Sequence, residues 1–244
     1  MEKNVIVTGA NRGIGKAIVE KFAKMKCNIW ACARQKNDDF EQYLNELSEQ
    51  NGVWIKPIYF ELADSEAVKT GIMQILSEKI NIDVLVNNAG VNMYNLFQMT
   101  RIQDAKKLFE IDYFAPFQIM QLILKRMTKQ RFGCIINISS IAALDAHAGD
   151  AVYGSAKSAL LTLSKAVAVE VGAMGIRVNV VAPGPVETDM IKMNMDKIGD
   201  KVVSNSILGR LAKSSEIADV VYYLSSDEAS FVNGQVIRVD GGIK

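Results

Sequence analysis

Tyr153 and Lys157 stand four residues apart, and Ser140 lies thirteen residues upstream at the end of an apolar run. Residues i and i+4 share one face of a helix, so the Lys157 ammonium can lie beside the Tyr153 phenol. A phenol titrates near ~10 in water, and a neighbouring cation favours the phenolate, drawing the value toward neutrality. That is what a general acid/base requires, with the Ser140 hydroxyl placed to polarise a carbonyl. Ser139 competes with Ser140 for that role. Tyr-x-x-x-Lys alone is a common surface pattern, so the chemistry needs a second feature pointing the same way.

The amino terminus supplies it. Val5–Val7 is a run of apolar β-branched residues without alternation, the pattern of a strand buried on both faces. Gly9-Ala-Asn11-Arg12-Gly13-Ile14-Gly15 follows, and a helical pattern begins at Lys16. Gly9 permits the tight turn, Gly13 lets backbone approach a pyrophosphate, and Gly15 allows close helix–strand packing. The helix N-terminus then offers free N–H groups and a partial positive charge to that phosphate.

These motifs resemble the compact short-chain dehydrogenases/reductases. Thr8-Gly-x-x-x-Gly-Ile-Gly15, Asn87-Asn88-Ala89-Gly90, Ser140, Tyr153-x-x-x-Lys157 and Pro183-Gly184 match that family in order and spacing, from Lys3 to Gly242. Within it the chain is most similar to bacterial 3-oxoacyl-[acyl-carrier-protein] reductases. The resemblance implies that Asn87 steadies the sheet, and that Asn88, Ala89 and Gly90 pass close to an adenine ribose. It also implies that Pro183 and Gly184 run along a nicotinamide, with Val186 bonding its carboxamide and Thr188 reaching a phosphate. Glu61 and Leu62 would flank the adenine, where the family commonly has Asp. Tyr153 and Lys157 would also hold the cofactor, and a homotetramer is implied, with the helices near 101–130 and 152–174 at one interface and the C-terminal segment at another.

The cofactor's identity is legible after the second strand. A site preferring NAD places a carboxylate there for the ribose 2′-OH. This chain reads Ala31-Cys32-Ala33-Arg34 instead, so Arg34, with Arg12 opposite, can clamp a 2′-phosphate. NADP(H) is expected.

One position departs from the family. In Ile111-Asp112-Tyr113-Phe114-Ala115-Pro116-Phe117, Asp112 stands where the family has an asparagine that kinks the helix and relays protons to the lysine. A carboxylate there would stabilise the Lys157 ammonium while offsetting part of its pull on Tyr153. Pro116 can supply a kink independently. Asp112 therefore joins Ser140, Tyr153 and Lys157 in the expected catalytic set.

The elements that must position these groups alternate along the chain. Strands are expected at Asn4–Val7, Asn28–Ala33, Trp54–Phe60, Val84–Asn87, Cys134–Ile138, Arg177–Val181 and Val236–Val239. Helices are expected near Lys16–Met25, Phe40–Glu49, Ser65–Lys79, Arg101–Lys129, Val152–Met174 and Ser215–Ser225. That rhythm implies a single α/β domain over residues 1–244, a Rossmann-type doubly wound parallel sheet of about seven strands with helices on both faces. Pro185 to about Lys213 is the one long irregular stretch, the expected lid. Its Met190, Met193, Met195 and Ile198 suit either an adaptable apolar pocket or packing against the body.

Composition excludes several classes. The chain has 244 residues, 49% of them hydrophobic, and a net charge of +1. Such a balance gives no electrostatic case for nucleic acid or an anionic membrane. Cys27, Cys32 and Cys134 fall in or beside expected strands without metal or C-x-x-C spacing, so buried thiols are expected and no metal site. With no leader and no apolar run of ~18–20 residues, a cytoplasmic protein is expected. His147, the only histidine, is a solvated loop residue or a substrate contact. Lys125, Arg126, Lys129 and Arg131 form either a landing site for acidic acyl carrier protein or an ordinary charged helix end. The substrate is expected to be a small carbonyl or alcohol, an acyl-carrier thioester or alternatively a sugar or other polar ketone. A non-catalytic NADP(H)-binding protein is the alternative class.

Overall fold

The computed structural model describes residues 3–188, 191 and 206–243. Seven strands form one sheet: β1 (Asn4–Thr8), β2 (Asn28–Ala33), β3 (Ile55–Tyr59), β4 (Val84–Asn87), β5 (Gly133–Ile138), β6 (Ile176–Pro183) and β7 (Val236–Val239). Their spatial order is β3-β2-β1-β4-β5-β6-β7, and every pairing is parallel. The order reverses between β1 and β4, where crossovers leave toward opposite faces and a crevice opens at the carboxyl ends.

Parallel strands joined by helical crossovers are covered on both sides. Helices α1 (Gly13–Lys24), α2 (Asp38–Asn51) and α7 (Ser214–Ser225) cover one face, where Val5, Val7 and Ile29 meet Ile18, Phe22, Leu44 and Val221. Helices α3 (Ser65–Ser77), α5 (Ala115–Gln130) and α6 (Ala151–Val171) cover the other, where Ile6 and Trp30 meet Ile72, Ile119, Ile123 and Leu160. Val5, Ile6 and Val7 thus divide between two cores, which is why β1 reads as a continuous apolar run.

The strands fall where the sequence places them, to within two residues at every N-terminal end. The expected helix from Arg101 to Lys129 is helical without a gap over 102–130 but carries a wide turn part-way along. Helix α4 (Ile102–Phe109) gives way to a π-turn over Glu110–Phe114 before α5 begins. Pro116 follows directly in the first turn of α5, and because the residues before it are already helical its missing N–H removes a helical bond there. The wide turn and the proline thus coincide, both of them features that kink a helix. Met190, Met193, Met195 and Ile198 lie outside the described residues. The stem of the irregular stretch is tied down: Val186 bridges Ala212, and Ser206 bridges Ile243. Among the described residues no helix is long and apolar enough to cross a membrane, and no cluster of metal-ligating side chains occurs.

Candidate active site

A cleft of about 890 Å³ opens at the carboxyl ends of the strands. One end is built by the turn between β1 and α1. Gly9 and Gly13 hold φ of +65° and +53°, and Gly9 lies so close to Ala89 that a Cβ would come within 2.8 Å of the Ala89 Cα. A Cβ at Gly15 would collide with the Gly9 carbonyl oxygen. The Thr8 hydroxyl accepts the backbone N–H groups of Asn88 and Ala89, both at 3.0 Å, and the Asn88 amide donates to the Thr8 carbonyl at 2.9 Å. Neighbouring Asn87 donates to the Asn137 side chain at 2.8 Å across β4 and β5, as expected of a residue that steadies the sheet.

The expected binding residues Gly9, Asn11, Arg12, Gly13, Ile14, Gly15, Arg34, Glu61, Leu62, Asn88, Ala89, Gly90, Pro183, Gly184, Val186 and Thr188 all line this cleft. The Thr188 side chain sits over Gly13, closing the turn from the β6 side. Arg34 Nε lies 3.9 Å from Glu61 Oε2, and both side chains are largely in solvent. That loose pair leaves the guanidinium available to a phosphate. The close-packed glycine cradle, the α1 N-terminus and the two arginines fit a dinucleotide carrying a 2′-phosphate.

At the other end of the cleft lie Ser140, Tyr153, Lys157 and Asp112. Ser140 ends β5 and starts a short 3₁₀ turn over Ile141–Ala143, its Oγ accepting the Ala142 N–H at 3.2 Å. Its hydroxyl lies within hydrogen-bond reach of Tyr153 and can donate there or to a substrate oxygen. Buried Ser139 turns away and donates to the Lys157 carbonyl oxygen at 3.1 Å, which removes it as the competitor. Tyr153 and Lys157 share a face of α6, with Lys157 Nζ 5.8 Å from the Tyr153 ring centre.

Asp112 is fully buried, and its carboxylate Oδ2 lies 3.1 Å from Lys157 Nζ. Its other oxygen accepts the Val91 N–H at 2.9 Å. Lys157 also donates to the Ile138 carbonyl at 3.2 Å. The ammonium is therefore held from three elements: α6, β5 and the π-turn.

The electrostatics differ from the sequence expectation. Burial lifts the Tyr153 phenol above its ordinary value; the Lys157 ammonium and a Ser140 hydrogen bond pull it down, while Asp112 and Asp150 push it up. The net direction is upward rather than toward neutrality, because two carboxylates and burial outweigh one cation. Burial opposes the charge on Lys157, yet Asp112 and Tyr153 carry the net value above that of an ordinary lysine. Burial also raises Asp112, against the pull of Lys157. The 3.1 Å separation favours the ionised pair.

Sequence reasoning missed several lining residues: Gln35, Asn37, Tyr94, Asp150, Ile191 and Ile243. Asp150 had a signal, since three positions before Tyr153 places it on the same helical face. The others depend on loops whose paths no periodicity reports. His147 lines the cleft and is exposed. Half of the basic cluster serves the fold, as Arg126 donates to the Ile80 carbonyl and Arg131 to that of Ala173.

The comparisons with known proteins agree with this geometry. Residues 9–244 match the family described as enoyl-(acyl carrier protein) reductase. The 3-oxoacyl-[acyl-carrier-protein] reductase FabG of Escherichia coli (strain K12) is 34% identical over 241 residues, covering 99% of this chain and 97% of that protein. Its Chlamydia trachomatis counterpart is 34% identical over 245 residues, covering 100% and 98%. Among solved structures, ElxO with NADP bound superposes with a TM-score of 0.90 at 31% identity, covering 99% of this chain and 98% of that one. The L-sorbose reductase of Gluconobacter frateurii, complexed with NADPH and L-sorbose, gives a TM-score of 0.92 at 29% identity, covering 99% and 96%.

Proposed function

The chain belongs to the short-chain dehydrogenase/reductase family, and from that premise we propose that it is an NADP(H)-dependent oxidoreductase interconverting a ketone and a secondary alcohol. The observation that carries the reading is the meeting of Ser140, Tyr153 and Lys157 at one end of a cleft whose other end is a phosphate cradle. A protein that only bound the dinucleotide would have no use for all three.

When bound, NADPH supplies the hydride that reduces the substrate carbon. Ser140 donates its hydroxyl hydrogen to the carbonyl oxygen and fixes its position. Tyr153 gives its proton to the same oxygen as charge develops there, or removes it in the reverse direction. Lys157, anchored on Asp112 and Ile138, holds its positive charge beside the phenol and favours the phenolate left behind. Asp112 acts through Lys157 and is a positioning residue.

The substrate class follows from two sources. Similarity to the acyl-carrier-protein reductases supports a 3-oxoacyl thioester delivered by that carrier. Likeness to an L-sorbose reductase supports a sugar or other small polar ketone. We also infer one domain, a cytoplasmic homotetramer, and no nucleic-acid or membrane partner. Exposed Val169 on α6 and Phe114 at the π-turn, with Phe231 in the C-terminal segment, support the assembly as apolar side chains suited to subunit contacts.

The test is Tyr153→Phe. Turnover with any ketone should fall at least ~100-fold, the range for loss of a positioned acid. NADPH binding, followed by fluorescence titration, should stay within about threefold of wild type. A variant retaining more than a tenth of the wild-type rate would remove Tyr153 as the acid.

A further inference from the structure

Asp150 is a carboxylate the fold does not use. It is the residue preceding α6, where an aspartate ordinarily accepts N–H groups of the first turn. Two other helices are capped in that way: Asp64 accepts from Glu66 and Ala67 ahead of α3, and Asn37 accepts from Phe40 ahead of α2. The Asp150 side chain makes no such bond. Only its backbone serves the helix, its carbonyl accepting the Gly154 N–H at 2.7 Å. Among the described residues no hydrogen-bond donor or salt-bridge partner meets the carboxylate, which is half-buried and lines the cleft beside Tyr153. Burial lifts its pKa, and nearby His147 opposes the shift.

Its position is fixed from both sides. The Asn95 N–H donates to the Gly149 carbonyl at 2.9 Å, and Gly149, with φ of +95°, lies so close under the Tyr94 ring that a Cβ would come within 2.6 Å of it. Beyond, Gly154 packs on the Ala142 carbonyl, within the turn that follows Ser140. An unused carboxylate on backbone so fixed, beside the reacting groups, is a recognition element. The surrounding charges say what it recognises. Of the cations lining the cleft, Arg12 and Arg34 stand at the phosphate end and Lys157 is paired with Asp112. Among the described residues, only His147 is left to meet an anionic substrate at the Ser140–Tyr153 end.

We propose that Asp150 accepts a hydrogen bond from a hydroxyl group of the substrate close to the reacting carbonyl, so that the site selects uncharged hydroxyketones and rejects keto acids. The proposal rests on the ketone-reductase reading and narrows it. An unpaired acceptor discriminates strongly, because a substrate lacking the donor leaves the carboxylate stranded.

The experiment uses the full chain with NADPH and three probes of similar size: hydroxyacetone, butanone and pyruvate, with a 3-oxoacyl thioester as a fourth substrate. Wild type should prefer hydroxyacetone. In Asp150→Ala the ratio of kcat/KM for hydroxyacetone over butanone should drop ~10-fold or more, with NADPH affinity by fluorescence unchanged. Asp150→Asn keeps an acceptor oxygen and a helix-start residue but removes the charge, and should gain ~10-fold on pyruvate relative to hydroxyacetone. The Asn variant decides the matter should the Ala variant fail to bind NADPH. An unchanged ratio, a uniform change across all probes, or reduction of the thioester with none of the small ketones overturns the Asp150 proposal. Absence of turnover with all four substrates overturns the ketone-reductase reading instead.

Discussion

Asp112 carries a charge to a place water does not reach, and its consequence is read at Tyr153. The carboxylate steadies Lys157 while raising the phenol that Lys157 is there to lower. Asp112→Asn keeps the shape and the acceptor for Val91 but removes that opposing charge. The Tyr153 pKa should therefore fall, moving the acid/base limb of the kcat/KM profile to lower pH. In the oxidative direction the rate near neutrality should be equal or higher, since more of the phenol is then ionised. An unshifted limb between pH 5 and 10 would mean that only the backbone at this position matters. Arg34 poses a simpler question at the same scale. Its guanidinium is loosely paired with Glu61 and mostly solvated, so its contact with a 2′-phosphate lies at the weak end of charged hydrogen bonds. Arg34→Ala should weaken NADPH by roughly 5–30-fold and leave NADH unchanged, which titration of both cofactors checks.

Individual elements repeat this division between what the chain spells out and what packing decides. Strands β2 and β4 fall where apolar runs fall, because burial on both faces leaves an unbroken signature. The glycine turn and the Tyr153–Lys157 face are local geometry, and residue spacing is enough to read them. The π-turn is only half marked: Pro116 signals a disturbed helix, but Glu110–Phe114 keeps a helical composition and does not say where the turn widens. Asp150 was unread for the opposite reason, since an aspartate ahead of a helix has an ordinary explanation that the structure then withholds. Thr8 is another case. Its hydroxyl accepts two amide groups from the segment after β4, and Thr8→Val would bury both unsatisfied. A loss of about 2 kcal/mol follows, seen as a lower denaturation midpoint, together with weaker NADPH binding as the turn loosens. Unchanged stability would show that water reaches those amides.

Taken whole, the molecule is close to neutral at +1, so association is governed by apolar surface rather than net charge. Val169 is 85% exposed on the outer face of α6, and Phe231 is fully exposed. Large apolar side chains so placed mark contact surfaces. Light scattering should give four times the chain mass of 26.9 kDa, and Val169→Glu should lower it to a smaller assembly. A wild-type mass equal to the chain mass would remove the tetramer. One further property belongs to this scale and comes from the strand order. The glycine turn is complete by residue 15, yet the groups that hold it shut arrive with Asn88 and Ala89, separated from Thr8 by 80 and 81 positions. As the chain leaves the ribosome, β1 can pair with β2, but its other edge waits for β4, and the cradle stays slack until then. Cofactor capture is thus a late event in synthesis, and a fragment carrying every glycine of the motif would hold no nucleotide.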